Sequence, residues 1–176
     1  MLLADLSVEE ALELGLRLHR AALFDDIDEL FRVLGDGVDI DWKDLCNRTA
    51  LMISAFHGHS EFLRALIARG ADKEAKSIAG TTGLILAASN DSCECVRVLL
   101  EAGSDKDVCD DRGATALHIS ARWGSTECVR LLLESGANTK ITDIDGCTAF
   151  YAAESSENSE CARLLLQVGT VQNAVD

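Results

Sequence analysis

A chain of 176 residues with 30 acids against 16 bases carries a net charge of −14, which argues against a protein that grips a phosphate backbone, since that needs a basic footprint. Hydrophobic residues at 48% and charged residues at 26% exclude a disordered chain, and no apolar run approaches the ~20 residues of a membrane span. The start, MLLADLSVEE, has no basic segment and turns acidic at once. No secretion signal is therefore expected, and the seven cysteines, an odd number, are expected as reduced thiols in a cytoplasmic or nuclear setting.

Ser7-Val8-Glu9-Glu10 matches a capping box, which predicts a helix beginning near Val8, with residues 1–10 as a lead-in. Leu16 then opens the word LRLHRAA. The same word returns at Thr49 (TALMISA), Thr82 (TGLILAA), Thr115 (TALHISA) and Thr148 (TAFYAAE), each threonine 33 residues after the last. This phase divides the chain into units 11–43, 44–76, 77–109, 110–142 and 143–176. Within each unit a tight turn is expected first, made by Gly80, Gly113 and Gly146, with Asn47 taking the glycine's place. The threonine caps a short helix that carries Leu51, Leu84, Leu117 and Phe150 inward, with Ala55, Ala88 and Ala121 giving room for a neighbour. A second helix follows. Glu61, Glu94, Glu127 and Glu160 suit its dipole and pair with Arg64, Arg97, Arg130 and Arg163 three residues on. Leu66-Ile67, Leu99-Leu100, Leu132-Leu133 and Leu165-Leu166 are assigned to the core. Gly37, Gly70, Gly103, Gly136 and Gly169 are assigned to the left-handed residue that ends this helix.

The third unit departs from the pattern, with Gly83 inside its first helical turn and Asp91 where Gly58 and Gly124 stand. It is expected to be the weakest. In the last unit Glu154 replaces the small alanine, as suits an outer face in solvent. Cys95, Cys128 and Cys161 share the column of Phe62, so they are read as small core hydrophobes; equivalent sulfurs of stacked units are expected ~10 Å apart, too far to share one zinc ion. Cys93-x-Cys95 is too short for a common zinc knuckle, and Cys46, Cys109 and Cys147 fall near turn tips. No group has the spacing of a nucleophile with its base. The acids from Asp105 to Asp111 lack the register of a calcium loop and read as turn residues. No catalysis, cofactor or metal is expected.

The 33-residue unit and the stretch from Thr115 to Asn138, TALHISARWGSTECVRLLLESGAN, resemble the ankyrin repeat family, whose signature is T-P-L-H-x-A. The signature proline is absent from every unit, its place taken by Arg17, Ala50, Gly83, Ala116 and Ala149. The resemblance implies an all-α repeat solenoid, in which paired antiparallel helices are joined by β-turn hairpin loops and each unit touches only its neighbours. It also implies structural roles for His19, His118 and His59, which leaves only His57 for function.

Ankyrin proteins mostly bind other proteins through hairpin tips and the concave face of the first helices, and the resemblance carries those places onto this chain. At the tips they include Leu45, Arg48, Ile78, Asp111, Arg112, Ile144 and Asp145. Late in the first helices they include Phe56, His57, Asn90, Arg122 and Trp123, with Trp42 close by. Large apolar residues at solvated places, beside arginine, are what hot spots look like. The function expected is a non-catalytic module or adaptor that binds another protein, through a basic or amphipathic segment, with no nucleic acid and no membrane insertion. Two alternatives stand beside it: a sensor of a small or nucleotide ligand that uses Trp123, Arg122 and Arg112, and a segment of a larger scaffold.

Overall fold

The computed structural model describes residues 7–172, with side chains as far as residue 168. Most of the lead-in, 1–6, and the last four residues of the final unit lie outside the described residues. Among the described residues, ten helices form five successive pairs. The first pair is α1 (Val8–Phe24) with α2 (Ile27–Gly35), and the second is α3 (Ala50–His57) with α4 (Ser60–Ala68). Then come α5 (Gly83–Ser89) with α6 (Cys93–Glu101) and α7 (Ala116–Trp123) with α8 (Thr126–Glu134). The last is α9 (Ala149–Ser155) with α10 (Ser159–Gln172). The first helices of the pairs, α1, α3, α5, α7 and α9, stack on one another in an inner row. From α4 onward the second helices form an outer row. The chain is an all-α solenoid.

The local chemistry that starts and stops these helices repeats with the sequence. Ser7 and Glu10 close the capping box of α1 in both directions. Thr49, Thr82, Thr115 and Thr148 each accept from the backbone N–H three residues on. After α4, Gly70 stands at φ 86°; its N–H reaches Ile67 O, and that of Ala71 reaches Leu66 O. These two bonds satisfy carbonyls the helix leaves open. Gly37, Gly103 and Gly136 repeat the arrangement. Gly169 does not, because α10 runs through it to Gln172. A glycine costs a helix only about 1 kcal/mol, so it permits an end without imposing one.

The hairpins are set by one acceptor. Asp44 Oδ1 takes the N–H groups of Cys46 and Arg48. Asp110 does the same for Arg112 and Ala114, and Asp143 for Asp145 and Cys147. Ser77 Oγ substitutes in the second hairpin. Successive tips are tied by single backbone bonds from Ile78, Asp111 and Ile144 to Cys46, Ala79 and Arg112. The turn between the helices of each pair takes one left-handed residue. Gly58 and Gly124 fill it in two pairs, while Asp25, Asp91 and Glu157 adopt φ 58°, 53° and 61° in the others. The departure at Gly83 has a packing reason. A Cβ there would stand 2.6 Å from Leu51 Cδ2 of the preceding repeat, so the glycine lets the two inner helices close up.

The core is a continuous file from Leu14 to Leu165. Leu51, Leu84 and Leu117 are buried, and Phe150 is half-buried. Cys95, Cys128 and Cys161 sit in the file beside the fully enclosed Phe62, and burial pushes the Cys95 thiol up to about 11. The paired positions need correction. Leu66, Leu99, Leu132 and Leu165 are core, but Ile67, Leu100 and Leu133 are half-buried and Leu166 is exposed. Adjacent helical residues point ~100° apart, and the second residue of each of these pairs falls at the edge of the buried arc, whereas Leu131 and Leu132 both lie within it.

The acid–arginine pairs form within each outer helix, at 3.7 Å for Glu61–Arg64 and 2.6 Å for Glu160–Arg163. They also form between repeats. Arg64 reaches Glu94 at 2.6 Å and Arg97 reaches Glu127 at 3.9 Å. Exposed pairs of this kind contribute at most ~1 kcal/mol each. In α2, Glu29 occupies the column of Phe62 and is held by Arg17 at 2.8 Å and Arg32 at 2.7 Å.

His118 Nε2 bonds to Cys147 O of the next repeat and His19 Nε2 to Trp42 O. Burial pushes both imidazoles below their ordinary value of 6.5, outweighing those carbonyl contacts. The unfolded chain therefore takes up protons that the native state refuses. Stability is full above pH 6.5 and is lost as pH falls below it, by no more than about 1.4 kcal/mol per pH unit for each histidine. Urea midpoints are expected to drop between about pH 7.5 and 5.5, where the carboxylates of both states stay largely ionised. A flat profile would contradict this.

Candidate partner-binding groove

The inner row and the first hairpin enclose a groove of about 480 Å³. Its floor comes from three helices: Leu16 and Leu23 of α1, Met52, Ile53 and Phe56 of α3, and Leu86 of α5. Leu16, Leu23 and Phe56 are 51%, 41% and 39% exposed, so they present apolar surface to solvent. Arg20, His57 and the hairpin pair Asp44 and Arg48 make the rim. Arg48 is occupied by Asp44 at 2.8 Å. Burial would raise the Asp44 carboxyl, but the hydrogen bonds from the backbone and side chain of Arg48 hold it below its usual range. Arg20 has no ion pair among the described residues. The groove's local charge is therefore positive, in a protein whose net charge is −14.

Of the residues carried over from the sequence, Arg48, Phe56 and His57 meet in this groove. A second group, Arg112, Arg122, Trp123, Ile144 and Asp145, meets in a cleft of about 260 Å³ between the fourth and fifth repeats. Trp123 is 67% exposed there. Arg122 lies 3.8 Å from Asp143, and the cleft also holds Asp110. Three acids against two arginines make it a poor seat for a phosphate.

The rest fall in neither. Leu45 and Ile78 are exposed at the outer tips, and exposed Asp111 spends its backbone N–H on Ala79 O. Asn90 donates its side-chain amide to Phe56 O at 2.8 Å and so clamps two repeats. Trp42 is half-buried, lying over Gly15 and edge-on to His19 at 4.7 Å.

Sequence reasoning missed Leu16, Arg20, Leu23, Ile53 and Leu86. The signal for Leu23 was present: it stands one period before Phe56, and Arg20, Ile53 and Leu86 form a column of their own. Extending the register into the first unit would have found them.

A family model described as ankyrin repeats (3 copies) matches residues 18–110 and 84–176. No curated protein matches the chain. Among the described residues, no helix is long and apolar enough to cross a membrane.

Proposed function

The chain belongs to the ankyrin repeat family, and from that premise we propose that it binds an amphipathic segment of another protein along the groove of its first three repeats. Ankyrin repeats are generally protein–protein interaction modules, and the family is typically non-catalytic. The observation that carries the proposal is the exposed apolar floor of Leu16, Leu23 and Phe56 beside Arg20, which makes no ion pair among the described residues. A helical segment lays apolar residues at i, i+3, i+4 and i+7 into such a floor. A carboxylate on the segment's edge would answer Arg20, while basic residues on its outer face would answer the acidic remainder of the surface.

The test selects binding segments from a random peptide library on the unaltered protein. Phe56→Ala with Leu16→Ala should weaken the selected segments by about tenfold or more, the scale of a hot spot. Trp123→Ala, in the second cleft, should leave them unchanged. If only Trp123→Ala weakens binding, the site belongs to the fourth and fifth repeats. The adaptor role follows from the family, and a nuclear or cytoplasmic setting from the expectation that its seven cysteines are reduced thiols.

A further inference from the structure

The outer row brings together three side chains that no sequence spacing paired. Cys93 opens α6, Cys128 lies in the first turn of α8, and Asp91 holds the left-handed position just before α6. The two sulfurs are 3.1 Å apart. Asp91 Oδ1 lies 3.4 Å from Cys93 Sγ and 3.6 Å from Cys128 Sγ. All the potential ligand atoms fall within 4.8 Å of one another.

A tetrahedral ion with sulfur at ~2.3 Å and oxygen at ~2.0 Å sets its own triangle: ligand edges of about 3.8 Å between sulfurs and about 3.5 Å between sulfur and oxygen. The two sulfur–oxygen edges already match, and the sulfur–sulfur edge needs to open by less than ~1 Å. Burial grades across the site. Cys128 is buried, Cys93 half-buried and Asp91 exposed, so the fourth position faces solvent. We propose that Asp91, Cys93 and Cys128 form a site for a thiophilic divalent cation of the zinc class, binding the third repeat to the fourth and leaving one position for water.

The charge around the site favours a cation. The negative charges of Asp91 and Glu127 act on the Cys93 sulfur. Burial foremost pushes both thiols up, with Asp91 adding to each and Glu127 to Cys93 alone, which makes them weak nucleophiles for disulfide exchange. Metal binding would replace the two thiol protons, so affinity rises with pH. The ligands come from two repeats, and so the ion would clamp the junction between α6 and α8. The groove of the first three repeats is lined by other helices, and either reading stands without the other.

The test titrates the full chain, kept reduced with a phosphine, with Co²⁺ as a spectroscopic stand-in for Zn²⁺. One equivalent should produce thiolate-to-cobalt charge-transfer absorption that Zn²⁺ then abolishes. Cys93→Ser, at a half-exposed position, should remove the band while far-ultraviolet circular dichroism stays unchanged. Asp91→Asn should weaken binding at least tenfold, since even residues that only orient a ligand are worth that much. Zn²⁺ should also raise the Tm of the unaltered protein but not that of Cys93→Ser. The proposal is overturned by the absence of the band. It is equally overturned by a band that survives Cys93→Ser, which would place the metal on the turn thiols Cys46, Cys109 or Cys147.

Discussion

Replacing Phe62 by alanine is expected to destabilise the protein by about 4 kcal/mol, the range for emptying a wholly enclosed aromatic site. Phe62 is the largest fully buried side chain, with none of its surface exposed. It fills the place that the later repeats fill with Cys95, Cys128 and Cys161. Alanine there would empty an enclosed site, and how far the surroundings collapse sets where in this range the loss falls. In a solenoid such damage stays local, since each repeat is held by its own packing and by two interfaces. Trp42 reports on the first repeat, the neighbour of the one that carries the lesion, through its packing over Gly15 and edge-on to His19. In a Trp123→Phe background, where Trp42 is the only tryptophan, its fluorescence transition in urea should precede the loss of helical circular dichroism once Phe62→Ala is added, and should coincide with it without that change. Coincident transitions in the variant, or a loss below about 2 kcal/mol, would count against this packing account.

Gly15→Ala is expected to have the wrong sign for its helix. Inside α1, alanine should gain about 1 kcal/mol over glycine by propensity alone. At this position the added Cβ would overlap the Cδ2 and Cε2 atoms of the Trp42 indole. The ring is rigid, His19 stands edge-on to it at 4.7 Å, and His19 Nε2 bonds to the Trp42 carbonyl. The indole must therefore swing out as a unit, giving up its cover over α1. Overpacking of this kind costs ~1–3 kcal/mol, and a net loss of about 2 kcal/mol is expected. It would be read from the urea midpoint, with a red shift of Trp42 emission. A stabilised Gly15→Ala protein would mean that Trp42 is a free binding residue and not a packed one.

The architecture was legible because the same physical demand recurs in every repeat. A cap is needed before each helix, a left-handed residue after it and a small residue between neighbours. Thr115, Gly136 and Ala121 answer these demands in one repeat as their counterparts do in the others. Features used once were not legible. Gly15 had no column to explain it, and its reason lies in Trp42, 27 residues away. Asp91 read as a defect in a glycine column. Its carboxylate was placed against two sulfurs only by the stacking of α6 on α8. The groove was half legible. Phe56 and Arg48 come from the register, while Leu16 and Leu23 lie on α1, onto which the binding places of the later repeats were not extended. Arg64 was paired with Glu61 by spacing, yet its shortest contact is to Glu94 of the next repeat, a distance that no single helix encodes.

The ties between repeats all have short reach along the chain. His59 meets Leu23, Asn90 meets Phe56, His118 meets Cys147 and Asn158 meets Arg122, with separations of 29 to 36 residues. Closing a loop of that size costs little entropy, and no partner must wait for a distant segment. Each pair of helices can dock as soon as the one before it is complete. Folding can therefore keep pace with synthesis, proceeding from the first repeat toward the last, with only one unpartnered apolar face exposed at a time.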